Sequence, residues 1–191
     1  INSWNATKYA LDFFKNTQCN FYLLHVTFIS NFASGDTPLI PTDNVIEKTL
    51  LTQAKNSLNQ LIKKIKKTAL NPNHNFYAIS KYDFFIDAIR REIKEKKITL
   101  VVMGTKGASG INEVIVGSNT GDLITQVHCP VLIIPENSVF KVPKEIAFPT
   151  DYNIFYQTNV LKCITEYIKM FDSTIRILHI TKKNEGLTEF Q

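Results

Sequence analysis

Gly104, Gly107 and Gly117, followed by Ser118, Asn119 and Thr120, stand in the pattern Gly-x2-Gly-x9-Gly-Ser. Glycines of this kind remove side chains where a ligand must approach the backbone. A Gly-Ser turn that opens a helix presents free N–H groups, and the partial positive charge of the helix start favours phosphate. The Ser118 and Thr120 hydroxyls can add hydrogen bonds, and Lys106, between the first two glycines, can reach a phosphate. The chemistry on offer is anion binding. It is neither of two common variants. Gly104, Gly107 and Gly110 do not spell GxGxxG, and no GxxxxGK[ST] is present.

Such a turn needs a strand before it and a helix after it. Ile98–Met103 is an apolar, β-branched run short enough for a buried parallel strand. Ile111, Val114 and Ile115 have helical spacing, and Leu123, Ile124 and Val127 continue a second helix from the Gly117 turn. Val131–Ile134 is another apolar strand, closed by Pro135. Ligands of open α/β sheets lie at the carboxyl ends of the strands, where this turn falls.

The preceding chain alternates in the same way. Ser3–Asn16 reads as a helix and Asn20–Thr27 as a buried strand. Asp43 can cap a long helix to Lys67, which Asn71-Pro72-Asn73 ends. Asn75–Ser80 reads as a strand and Asp83–Lys96 as a helix burying Phe85, Ala88, Ile89 and Ile93. After a polar linker come a strand (Glu145–Thr150), a helix (Tyr156–Phe171) and a strand (Thr174–Thr181). Strands alternating with helices imply a parallel sheet covered on both faces.

The glycine spacing, placed after VVMG and before CPVLIIP, resembles the universal stress protein family in its ATP-binding branch. The resemblance implies a Rossmann-like α/β fold, an open parallel five-stranded sheet in the order 3-2-1-4-5 with helices on both faces. It implies that ATP, with Mg2+ as a possible companion, lies across the carboxyl ends of strands one, two and four. Met103, Gly104 and Gly107 match the end of strand four and its loop. Gly117, Ser118, Asn119 and Thr120 match the turn that holds ribose and phosphates. Val26 matches a position whose backbone contacts adenine. Lys106 is an addition argued from its place between the glycines. The edge strand Val131–Ile134 implies pairing into a homodimer or an intramolecular pseudo-dimer.

A second copy begins inside the chain. At an offset of 154 (179 − 25), Asn5 meets Asn159, Lys8 meets Lys162, Lys15 meets Lys169, Leu24 meets Leu178 and His25 meets His179. The strand ahead of the second copy's helix has its counterpart before Ile1. The expectation is therefore a first domain over 1–136 lacking its first strand, a linker over 137–144, and a truncated second domain over 145–191. The family's strand-one Asp has its match in Asp151 of the second copy.

Other residues carry blander readings. Net charge is +5, too diffuse to argue nucleic acid, and no recognition motif accompanies it. Three cysteines, an odd number without CxxC or Cys/His spacing, suit a reducing cytoplasm. No apolar run reaches the length of a membrane span. His25 and His179 read as strand histidines. His128 and Cys129 are sequence neighbours on an extended segment, which point to opposite sides, so they are no thiol–imidazole pair.

The expected function is a nucleotide-binding regulatory protein of the stress response that hydrolyses ATP slowly or not at all, and so no enzyme. Two alternatives stand beside it: a dimerising scaffold that binds no nucleotide, and a weak ATPase or adenylyl-transfer enzyme.

Overall fold

The long helices follow apolar stripes and the strands follow β-branched and aromatic runs, and the two alternate as far as Ile134, where a strand is followed by a strand. The computed structural model describes residues 2–27, 44–68, 71–105, 117–152 and 155–179. The elements are α1 (Asn2–Phe13), β1 (Asn20–Thr27), α2 (Asn44–Thr68), β2 (Asn75–Tyr82), α3 (Phe85–Lys96), β3 (Val101–Gly104), α4 (Ser118–Gln126), β4 (Val131–Ile134), β5 (Glu145–Pro149), α5 (Thr158–Phe171) and β6 (Thr174–Leu178). The chain divides into two compact units, Ile1–Val139 and Phe140–Gln191.

All three strand pairs are parallel: β1 with β2, β3 with β4, and β5 with β6. The architecture is therefore α/β. The single five-stranded sheet is not what the described residues form; they form three two-stranded sheets. The physical reason is in the ladders: among the described residues β1 and β2 bond to each other, β3 and β4 bond to each other, and no strand hydrogen-bonds one pair to the other.

In the first unit, helices cover both pairs. α1 packs on β3 and β4, and α2 packs on β1 and β2. α3 packs on β1 and α4. The core joins Ile89 of α3 with Leu123 of α4 and Val127, the residue that caps α4, all buried. Leu24 of β1, Met103 of β3 and Val131 of β4 pack against this cluster. On α2, Ile62 and Ile65 are buried, and on α1, Ala6 and Ala10. The Lys64 ammonium lies 4.5 Å from the Trp4 ring centroid, joining α2 to α1 by a cation–π contact.

The amino end of the β1–β2 pair is an aromatic stack. Phe21 lies on Phe76 at 5.3 Å and meets His74 edge-on at 4.9 Å. Tyr22 stacks on Tyr77 at 4.9 Å. Asn75 Nδ2 donates to Asn20 Oδ1 at 2.9 Å, fixing the register at the first pair.

Several boundaries differ from the sequence expectation. α1 stops at Phe13 because the next residues tighten into a turn in which the Thr17 N–H donates to the Phe14 carbonyl at 2.9 Å. Ser3 lies inside α1, so it is no cap. α3 starts at Phe85, not Asp83, because the Asp83 carboxylate accepts the Phe84 N–H at 2.8 Å and pairs with Arg91. Ile98 lies between α3 and β3, and its backbone closes the helix: Lys97 is left-handed (φ 53°), the Ile98 N–H donates to the Ile93 carbonyl at 3.0 Å, and β3 starts only at Val101. The cap at Asp43 and the helix through Ile111, Val114 and Ile115 lie outside the described residues.

The second unit is a β–α–β arrangement. Ile146 and Phe148 of β5 are half-buried, and Phe148 meets the Tyr156 ring at 5.0 Å. Arg176 Nε donates to Glu145 Oε1 at 3.0 Å across the pair. The His179 Nδ1 lies 2.8 Å from the Thr150 carbonyl oxygen. β6 is exposed along its length.

Candidate functional site

The site starts from the last residue of β3. Gly104 is buried, and its register partner is Ile134 of β4. The Thr105 N–H donates to the Ile134 carbonyl at 3.1 Å, which carries the ladder one residue past the strand. The Gly117 N–H then donates to the Thr105 carbonyl at 3.0 Å. Residues 105 and 117, far apart in sequence, are thereby held together.

α4 begins directly after Gly117, its N-cap. The Thr120 and Gly121 N–H groups both reach the Gly117 carbonyl, at 2.9 and 3.0 Å. By helix geometry, the N–H groups of Ser118 and Asn119 have no acceptor within the helix. The first turn carries no acidic residue to compete for them. Both side chains are exposed, and backbone N–H groups at a helix start are suited to an anion.

Thr120 has a different place. It is entirely buried, and its hydroxyl donates to the Gly104 carbonyl at 3.3 Å, with the Met103 sulfur 3.8 Å away. The hydroxyl thus ties the start of α4 to the end of β3. Met103 itself packs into the core beside Leu123. Gly117 has φ −57° and ψ 152°, a conformation open to any residue.

The structure brings together Met103, Gly104, Gly117, Ser118, Asn119 and Thr120 at one strand–helix junction. Val26 lies near the carboxyl end of β1, half-buried and in register with Lys81. Lys106 and Gly107 lie outside the described residues. The groups whose pKa is displaced are not at this junction. Burial lowers the His74 imidazole at the amino end of β2 and raises the Cys19 thiol just before β1. Burial, with Glu166 nearby, raises the Cys163 thiol of the second unit.

One pair beside Val26 escaped the sequence reading. Lys81 Nζ lies 2.8 Å from Glu92 Oε1, and Glu92 is buried at 5% exposure. The signal was available: Glu92 follows Ala88 and Ile89 at helical spacing, on the inward face of α3. Among the described residues, no group of three or more His, Cys, Asp and Glu side chains is arranged to hold a metal. No described helix is long and apolar enough to cross a membrane.

Comparison with known proteins bears on the same stretch. The universal stress protein family model matches residues 2–135. Universal stress protein MJ0531 of Methanocaldococcus jannaschii is 27% identical over 132 residues, covering 69% of this chain and 74% of that protein. Among solved structures, UspA from Lactobacillus plantarum superposes with a TM-score of 0.52 at 24% identity, over 70% of this chain and 89% of its own. The hypothetical protein MJ0577 superposes with a TM-score of 0.52 at 19% identity, over 71% of this chain and 91% of its own. At these identities the two structures speak for the fold alone.

Proposed function

This chain belongs to the universal stress protein family, and from that membership we propose that its first unit is a regulatory ATP-binding module. The observation that carries the reading is the junction itself. A buried Thr120–Gly104 hydrogen bond fixes the start of α4 against the end of β3, and the Ser118 and Asn119 N–H groups in the first turn of α4 have no acceptor within the helix. A polyphosphate suits those donors, and Ser118 Oγ and the Asn119 amide add neutral hydrogen bonds. Gly104, Gly107 and Gly117 admit the ligand close to the backbone, Lys106 offers charge to a phosphate, and the Val26 backbone meets the adenine. Met103 lines the site from the core side, and Thr120 holds it in shape. Mg2+ would accompany the phosphates.

In this reading the β2–β1 and β3–β4 pairs are the outer parts of the family's five-stranded order. The protein works in the cytoplasm and holds ATP with slow or no hydrolysis. None of the proposed contact residues (Val26, Met103, Gly104, Lys106, Gly107, Gly117, Ser118, Asn119, Thr120) is a carboxylate or imidazole that would serve as a general base. The test is calorimetric titration of the full chain with ATP, beside identification of nucleotide released on denaturation. Saturable one-site binding with turnover near that of buffer supports the reading. No binding, or fast turnover with an acceptor, sinks it.

A second reading rests on β4. Among the described residues it is bonded to β3 on one side alone, so its other edge suits pairing with another copy or with the tandem half. In that reading the chain is a dimerising scaffold, and ATP leaves its melting temperature unchanged.

A further inference from the structure

We propose that the outward face of α2 is a seat for the phosphate backbone of duplex DNA, held by charge without reading base sequence. The proposal does not depend on nucleotide binding.

The charge of the chain is gathered on this one helix. α2 carries six lysines (Lys48, Lys55, Lys63, Lys64, Lys66 and Lys67) against a single carboxylate, Glu47. The rest of the chain holds 16 bases (22 − 6) and 16 acids (17 − 1), so the whole net charge of +5 resides in α2. Counted over the full length that charge reads as diffuse; the helix concentrates it. The opposite stripe turns it outward: Ile62 and Ile65 are buried, and α2 packs on β1 and β2. All six lysines are exposed. Lys64 is engaged by the Trp4 ring. The other five have no carboxylate partner among the described residues. Lys48 and Lys66 lie 18 residues apart (66 − 48), about five whole turns, so they share one flank over about 27 Å, with Lys55 between them. Lys63 and Lys67 are neighbours at i,i+4, where like charges destabilise a helix. A bound polyanion relieves that repulsion.

What stands between the lysines decides among polyanions. Thr49, Thr52, Gln53, Asn56, Asn59 and Gln60 are all exposed, hydroxyls and amides of the kind that bond phosphate and sugar oxygens. Large apolar side chains are exposed on α2 only at its start, Val45 and Ile46. A helix that lies in a bilayer surface needs an apolar face for the lipid, and the apolar face of α2 is occupied by the sheet. Lysine is depleted in protein interfaces, which argues against an acidic protein. No aromatic residue stands in Asn44–Thr68 for single-stranded bases to stack on. A duplex fits each of these features. DNA is favoured over RNA by groove width: the major groove of B-DNA is about 12 Å wide and admits a helix, whereas that of A-form RNA is deep and narrow.

The test is fluorescence anisotropy of a labelled duplex of about 20 base pairs, titrated with the full chain at several salt concentrations. The expected result is saturable binding, indifferent to base sequence, whose logarithm falls with that of salt at a slope steeper than about −3. A triple variant, Lys63→Gln with Lys66→Gln and Lys67→Gln, should weaken binding about tenfold or more and flatten the slope by about 2–3. A second triple variant, Lys94→Gln with Lys96→Gln and Lys162→Gln, removes the same charge from exposed positions on α3 and α5 and should leave affinity within about twofold. No binding at low salt, or equal loss in the two variants, would overturn the proposal. So would vesicles of phosphatidylcholine and phosphatidylserine that bind as tightly as DNA through the same three lysines, which would assign the face to lipid. Duplex RNA bound as tightly as DNA would overturn the assignment to DNA.

Discussion

The Thr120 hydroxyl and the Gly104 carbonyl oxygen lie 3.3 Å apart in a site with no exposure to solvent. One is in the first turn of α4 and the other ends β3, so this bond sets where the helix start sits relative to the sheet. Removing the hydroxyl while keeping the shape isolates its role. Thr120→Val should destabilise the chain by about 1–3 kcal/mol, because it leaves a buried carbonyl unpaired. ATP affinity should fall with it, and Thr120→Ser should restore most of both. Urea denaturation and calorimetric titration check this; full ATP affinity in Thr120→Val would remove Thr120 from the site.

Gly117 separates folding from binding in a different way. Its φ of −57° suits any residue. Valine is a poor N-cap, so Gly117→Val should cost about 1 kcal/mol of stability. The branched side chain should nonetheless weaken ATP binding more than tenfold by blocking approach. If the variant binds ATP as the parent does, the phosphates do not lie at this turn.

The Lys81–Glu92 pair is half-open, since Glu92 is buried and Lys81 is 37% exposed on its side chain. Lys81→Met should destabilise by about 1–3 kcal/mol, less than a fully buried pair because solvent reaches the ammonium. Most of that loss should come back in Lys81→Met with Glu92→Leu, where no carboxylate is left buried alone. Equilibrium unfolding of the two singles and the double closes the cycle. A double variant no better than Lys81→Met would show that the pair sets register, not charge balance.

His74 links stability to pH. Burial against Phe21 and Phe76 lowers its pKa from the ordinary 6.5, so the unfolded chain binds its proton more readily than the folded chain. That stability is complete above 6.5 and is lost as pH falls from there through the lowered value. Denaturant midpoints between pH 8 and pH 5 should drop for the parent, and drop less for His74→Gln. An equal drop in both would assign the acid sensitivity to other groups.

Local pattern carried most of the fold. The apolar stripe of α2 and the runs NFYLLHVT and VLII announced their elements, and the glycine spacing announced the strand–helix junction. What local pattern misses is what two distant segments do to each other. Ile98 reads as strand by its side chain, but its backbone N–H closes the end of α3. Thr120 reads as a ligand contact beside Ser118, but the helix turns it inward onto Gly104. Glu92 interrupts an apolar face, and its meaning depends on Lys81 arriving from another strand. Among the described residues the strands pair in twos, and which strands meet is decided by segments far apart in sequence, not by the apolar run of any one strand.

The Asn20–Asn75 bond has a kinetic side. The two residues are 55 apart in sequence, so the β1–β2 ladder cannot start until a long stretch, including all of α2, has been looped back. The β3–β4 partners Val101 and Val131 lie 30 apart (131 − 101), and the β5–β6 partners Glu145 and Thr174 lie 29 apart (174 − 145). Closure entropy alone separates these by only about 0.5 kcal/mol. A one-residue slip of β1 on β2 would instead turn every aromatic ring of the stack to the wrong face. The order of folding thus turns on a search for register at one end of one ladder, and the asparagine pair is where that search ends.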